Sequence, residues 1–285
     1  MKTANKAGKN HLPTIAMALA ALVAVLPAVA QVSDNSGSTS NLPTFMREHG
    51  PMRLHAVHPG VGVDSENWSG YAVTGTGFIS ASGSWHVPEV QCNKTPNTYS
   101  SFWVGLDGFQ QGNDTVEQNG TASDCSGTTP VYYAWYEYYP AGAVTIKDVP
   151  VAAGDIISAE VSYNGSEFTL TITNETTGKT HSHTKALAGA QRASAEWIAE
   201  APCCTSGGGY LPLANFDKAN FGYDNTGINN TNFATDSSVI NEPIFDFGTS
   251  NVFAITMVSA TGVTEAVPTS LTPDGTSFTV SWESE

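Results

Sequence analysis

Between Ile156 and Thr173 the chain alternates with a period of two. IISAEVSY sets Ile157, Ala159, Val161 and Tyr163 against Ser158, Glu160 and Ser162, and FTLTIT sets Phe168, Leu170 and Ile172 against Thr169, Thr171 and Thr173. Successive side chains of a strand point to opposite faces, so each run predicts a strand with one buried face. The Asn164-Gly165 pair between them predicts a tight hairpin. Thr177-Gly178 marks another turn before KTHSHT, and TSFTVSWESE closes the chain on a further alternating run. No convincing helical period and no internal repeat stands out. Many strands with turns at short intervals predict an all-β fold, a sandwich of antiparallel sheets in one domain.

The beginning of the chain reads differently. Lys2, Lys6 and Lys9 precede an apolar run from Thr14 to Ala30 that closes on Ala28-Val29-Ala30. That order of basic, apolar and small residues predicts a signal peptide over residues 1–30 and a secreted product. The run is shorter than the roughly 20 residues a membrane span requires, so no membrane association is expected of the mature form. Residues 31–63 begin Ser- and Asn-rich and continue as FMREHGPMRLHAVHPGVG, with Arg47, Arg53, His49, His55 and His58. A basic piece ahead of an acidic domain predicts a propeptide held by charge and released in acid; a plain linker is the other reading. The domain proper is expected over residues 64–285.

Charge narrows the partners. From Asp64 onward 24 Asp and Glu stand against 6 Lys and Arg, a net charge of −18. Nucleic acid is excluded as a partner, because phosphate contacts need clustered Lys and Arg. Carboxylates protonate near a pH of roughly 4, so such a surface suits an acidic setting. Four cysteines suit an oxidising compartment. Cys92 with Cys125 is the obvious pairing, which leaves Cys203 and Cys204 as neighbours, although three connectivities are open. No histidine stands at ligand spacing from a cysteine pair, and neither metal nor cofactor is expected. A monomer is the default expectation.

Strand alternation then sorts the polar residues. Trp103, Gly105 and Asp107 share a face in SSFWVGLDGF, and Tyr133, Trp135, Glu137 and Tyr139 share one in VYYAWYEYYP. Gln118 closes a short run in TVEQNG. In SAEWIAE, Glu196, Ile198 and Glu200 oppose Ala195, Trp197 and Ala199. A face of tryptophans, tyrosines and carboxylates is a poor core, since unpaired buried charge is costly; it predicts an aromatic-walled cleft. His86, His181 and His183 read as surface or strand-end residues, and no G-x-S-x-G elbow or aspartic-peptidase D-T/S-G pair is present. The residues alone leave three readings open: two carboxylates hydrolysing a glycoside, one carboxylate with an amide activating water on a peptide bond, or a binding sandwich without catalysis.

NWSGYAV, SFWVGLDGF, TVEQNG, YAWYEYYP and SAEWIAEAP, in this order, resemble the motifs of the glutamic peptidases, the eqolisin family, from Asn67 to the C-terminus. The resemblance implies two large antiparallel sheets with a substrate cleft on one face. It also implies a secreted, acid-active endopeptidase made as a precursor, acting on protein and peptide substrates without a cofactor. By motif, Glu196 is expected as the catalytic base and Gln118 as its partner, with Gln110 and Gln111 as competitors for the second role. Trp103, Asp107, Trp135 and Glu137 are expected to line and support the site. Glu200 is expected at the cleft or its rim, and Trp197 in the core.

Overall fold

A computed structural model describes residues 47–58, 62–204, 209–238 and 240–285. The leader expected over residues 1–30, and the 31–63 segment as far as residue 46, lie outside the described residues. The strands are β1 (Leu54–His58), β2 (Gly62–Ser65), β3 (Trp68–Thr74), β4 (Ser80–His86), β5 (Ser101–Leu106) and β6 (Val116–Ser126). β7 (Thr129–Tyr139), β8 (Val144–Ile146), β9 (Ile156–Tyr163), β10 (Phe168–Asn174), β11 (Lys179–Lys185) and β12 (Ser194–Glu200) follow. β13 (Lys218–Phe221), β14 (Phe233–Thr235), β15 (Asn241–Pro243), β16 (Val252–Val258), β17 (Thr264–Pro268) and β18 (Phe278–Trp282) complete them. One short helix, Tyr223–Thr226, and one 3-10 turn, Ile244–Phe247, are the helical pieces among the described residues.

Pairing builds two layers. The first runs β1–β2–β16–β3–β12–β5–β6–β7–β8, antiparallel except where β2 meets β16. The second runs β15–β14–β4–β9–β10–β11. β17, β18 and β13 join them along one side, from β16 across to β4. The all-β expectation holds, and the β9–β10 hairpin forms in the register Ile157↔Asn174 to Tyr163↔Phe168. Its turn is longer than two residues because the Asn164 side chain closes it, accepting from the backbone of Ser166 and Glu167 at 3.0 and 2.9 Å.

The core fills the space between the layers. Trp85, Phe102, Val104, Val161, Leu170 and Trp197 are all but fully buried there. Burial of each large apolar side chain contributes about 1.5–3 kcal/mol. Trp197 lies in the core as expected, and its indole donates to the Ser82 carbonyl at 2.7 Å. Gly83 makes that approach possible: a Cβ there would stand 3.1 Å from both Trp197 and Val104.

Part of the segment before residue 64 is built into the fold: β1 pairs with β2, and Glu48 and Met52 bond the backbone of Cys203 and Gly108. The cysteines pair as the obvious scheme has them, Cys92 with Cys125 and Cys203 with Cys204. Cys92–Cys125 closes a loop with a sequence separation of 33. A closure of that length contributes about 3–4 kcal/mol by restricting the unfolded chain. Replacing both Cys92 and Cys125 by serine should therefore lower the unfolding free energy by about that amount in urea titrations. An unchanged midpoint would show that the bridge adds nothing to the fold.

Candidate active site

Four adjacent strands make the floor of the site. Across β12, β5, β6 and β7 the register aligns Glu196, Gly105, Gln118 and Glu137 in one row. The next row of the same face holds Ile198, Trp103, Gly120 and Trp135, and the one beyond it Glu200, Ser101, Ala122 and Tyr133. Gln118 thus stands inside a long strand rather than at the end of a short run. Two glycines leave room for the Trp103 side chain on this floor. A Cβ at Gly105 would come within 3.0 Å of the Trp103 ring, and one at Gly120 within 2.6 Å of the Trp103 Cβ.

The chain's own segment Arg47–Pro51 crosses this floor. His49 is central to it. Its backbone N–H donates to Glu137 Oε2 at 3.0 Å, and its carbonyl accepts from the Gln118 amide nitrogen. Its imidazole Nδ1 meets Glu200 Oε2 at 2.8 Å, and the ring stacks on Trp135 with centroids 3.7 Å apart. Gln118 Nε2 also donates to Glu137 Oε2 at 2.9 Å, and Trp103 Nε1 to Glu200 Oε2 at 2.8 Å. The Gln118 amide orientation follows from this network, since its nitrogen faces two acceptors. Upstream, Arg47 pairs with buried Asp124, donates to the Tyr133 hydroxyl at 2.9 Å and lies over the Tyr99 ring at 4.0 Å.

The two glutamates of SAEWIAE differ in their surroundings. Glu200, expected at the rim, is fully buried and converges with Gln118 and Glu137 on one residue. Glu196, expected to be the base, makes no hydrogen bond to any described residue. Its electrostatic neighbours are Ser194, Asp107 and Glu117. It shares a row with Gln118, but the Trp103 ring covers the glycine between them. Strand alternation puts both glutamates on one face, and the Arg47–Pro51 segment meets that face at the Glu200 end of β12.

Asp107 supports the site from outside it. At φ +71° it accepts from Asn113 Nδ2 at 2.6 Å and from the backbone N–H groups of Gln191, Arg192 and Ala193, each at 2.8 Å. These bonds fix the loop that leads into β12. Trp103 and Trp135 line the floor as expected, and Glu137 holds the Gln118 amide. The competitors Gln110 and Gln111 are exposed on the β5–β6 loop. His86 bonds the Asn225 carbonyl and His181 pairs with Asp148, both away from the site. Glu48, Cys203 and Cys204 form the one group of potential metal ligands found among the described residues, but both sulfurs are committed to a disulfide.

Burial dominates the electrostatics. It pushes Glu117, Glu137, Glu196 and Glu200 well above the usual carboxylate range, with neighbouring acids adding to the shift at the first three. Burial, helped by the Arg47 guanidinium, holds His49 down at about 3. His49 and Glu200 are accordingly a neutral pair sharing a proton rather than an ion pair. The linkage signs follow. A carboxyl whose pKa rises on folding gives stability that is complete below its unfolded pKa of about 4.3 and is lost as pH climbs. His49 acts oppositely, costing stability as pH falls below about 6.5. Four carboxyls outweigh one imidazole, so denaturant midpoints should be highest in acid and decline toward neutrality. Glu196→Gln should flatten that decline; a midpoint that rises with pH would refute this assignment of cause.

Residues 66–271 match the model of the peptidase A4 family. Aspergillopepsin-2 of Aspergillus niger is 28% identical over 186 residues, which cover 55% of this chain and 62% of that protein. Scytalidopepsin B of Scytalidium lignicola is 30% identical over 165 residues, covering 54% and 60%. The chain thus matches about three fifths of the length of these relatives. A crystal structure of scytalido-glutamic peptidase with a transition state analog inhibitor superposes with a TM-score of 0.62 at 22% identity. It covers 76% of this chain and 98% of that one, and shares the fold. With its family model matched over most of its length and its fold shared, the chain belongs to the peptidase A4 family.

Proposed function

We propose that this protein is a secreted endopeptidase that cleaves peptide bonds in acid, with Glu200 as general base and Gln118 as its amide partner. One observation carries the reading. The Gln118 amide donates to a peptide carbonyl, that of His49, while Glu200 reaches the same residue in a buried groove. A donor aimed at a peptide oxygen in a water-poor site is what an oxyanion requires.

The remaining atoms fit the chemistry. Gln118 Oε1 and Glu200 Oε1 accept no hydrogen bond from any described residue. Two such acceptors suit the two hydrogens of one attacking water. Glu200 takes a proton from that water as it adds to the carbonyl carbon, and Gln118 Nε2 bears on the oxygen as charge develops. Glu200 then returns the proton to the departing nitrogen. Glu137 keeps the Gln118 amide from rotating, so it acts by positioning. Every step is met by side chains of this chain without a metal or cofactor. Glu137 is already occupied by Gln118 and His49, which disfavours the two-carboxylate glycosidase reading.

Digestion of a denatured protein in acidic buffer tests the roles. Gln118→Ala should lose about 10²–10³-fold in rate, as removal of an oxyanion donor does. Glu200→Gln should lose about 10²–10⁴-fold or more. Glu196→Gln should remain within the wild-type order of magnitude. Inactivity of Glu196→Gln in a folded protein, with Glu200→Gln active, would restore the assignment made from the motif alone. Cleavage of a β-glucan but no protein would replace the peptidase reading.

A further inference from the structure

We propose that the precursor binds its own segment Arg47–Met52 as a substrate and that His49–Gly50 is the bond it cuts in itself. This rests on the peptidase reading and names its first substrate. The segment is outside the residues matched by the family model, which begin at 66. Its contacts are those of an extended peptide in a cleft. Glu48 and Cys203 exchange backbone hydrogen bonds at 3.4 and 3.0 Å, and Met52 N–H donates to the Gly108 carbonyl at 2.9 Å. These contacts lie on either side of His49 and fix the segment's register.

The bond follows from which carbonyl is held. His49 O receives the Gln118 amide, and His49 N–H is held by Glu137. On the amino side, Arg47 is anchored by Asp124, Tyr133 and Tyr99. On the leaving side, Gly50 lies against Tyr139, where a Cβ would touch the ring at 3.7 Å. The Tyr139 ring is the wall of that subsite, at ordinary contact distance for a side chain. A water adds to the His49 carbonyl carbon and gives one proton to Glu200. The His49–Gly50 C–N bond breaks, and Glu200 passes that proton to the Gly50 nitrogen. The products are a chain ending in the His49 carboxylate and one beginning at Gly50. The step runs from the ionised fraction of Glu200, the form that can accept a proton from water.

The purified full-length protein, incubated in acidic buffer, provides the test, read by intact mass and N-terminal sequencing beside digestion of added denatured protein. A new N-terminus at Gly50 is expected, appearing at a rate independent of protein concentration because the segment is bound in its own cleft. The Glu200→Gln protein should stay intact. Arg47→Ala, which removes a side chain from the segment rather than from the cleft, should slow this cut about tenfold, as loss of a charge-assisted contact does. Digestion of the added protein without a Gly50 terminus would overturn the inference and leave the peptidase reading standing. A Gly50 terminus in Glu200→Gln, or a rate that scales with concentration, would overturn it as well. Neither digestion nor self-cleavage would sink both.

Discussion

Carboxyl groups buried on a sheet must be hydrogen-bonded, protonated or exposed to water, and the site is organised by that constraint. Glu117, Glu137, Glu196 and Glu200 are essentially unexposed. Among the described residues, the hydrogen bonds of Glu137 and Glu200 come from Gln118, Trp103 and the backbone and ring of His49. The segment that crosses the cleft therefore supplies polar partners to the two glutamates nearest Gln118. Removing it withdraws the His49 partners from those two, while no hydrogen bond of the segment reaches Glu196 or Glu117.

Much of the fold was legible because period-two alternation reports directly on which face is buried. β9 and β10, with Asn164-Gly165 between them, could be placed from pattern alone, and the Trp197 side of β12 could be assigned to the core. The sharing of one face by Trp103, Trp135, Glu137, Gln118 and the SAEWIAE glutamates could be anticipated for the same reason. Alternation fixes a face but not a position along it. Glu196 and Glu200 differ by two pleats, and only the path of the Arg47–Pro51 segment distinguishes them. That segment meets Glu200 across a sequence separation of 151 residues, and no local pattern encodes such a contact. The basic character of Arg47 and His49 was visible; their destinations, Asp124 and Glu200, were not.

An excess of acidic groups suits an acidic setting, but composition does not say which carboxyls are buried. In the fold desolvation is the first cause of the raised Glu196 carboxyl, and its neighbours Asp107 and Glu117 add to it. Asp107 shows how a motif residue can matter without meeting substrate. Its four hydrogen bonds hold the approach to β12, so losing it should disturb the strand that bears Glu200.

The central claim is that Glu200 and Gln118, not Glu196, face the reacting carbonyl. A crystal structure of the active enzyme with a peptide ketone that hydrates to a gem-diol tests it most directly. The account predicts one diol oxygen on Gln118 Nε2 and the other on Glu200, with Glu196 bonded to neither. A diol oxygen bonded to Glu196, with Glu200 directed away, would contradict it.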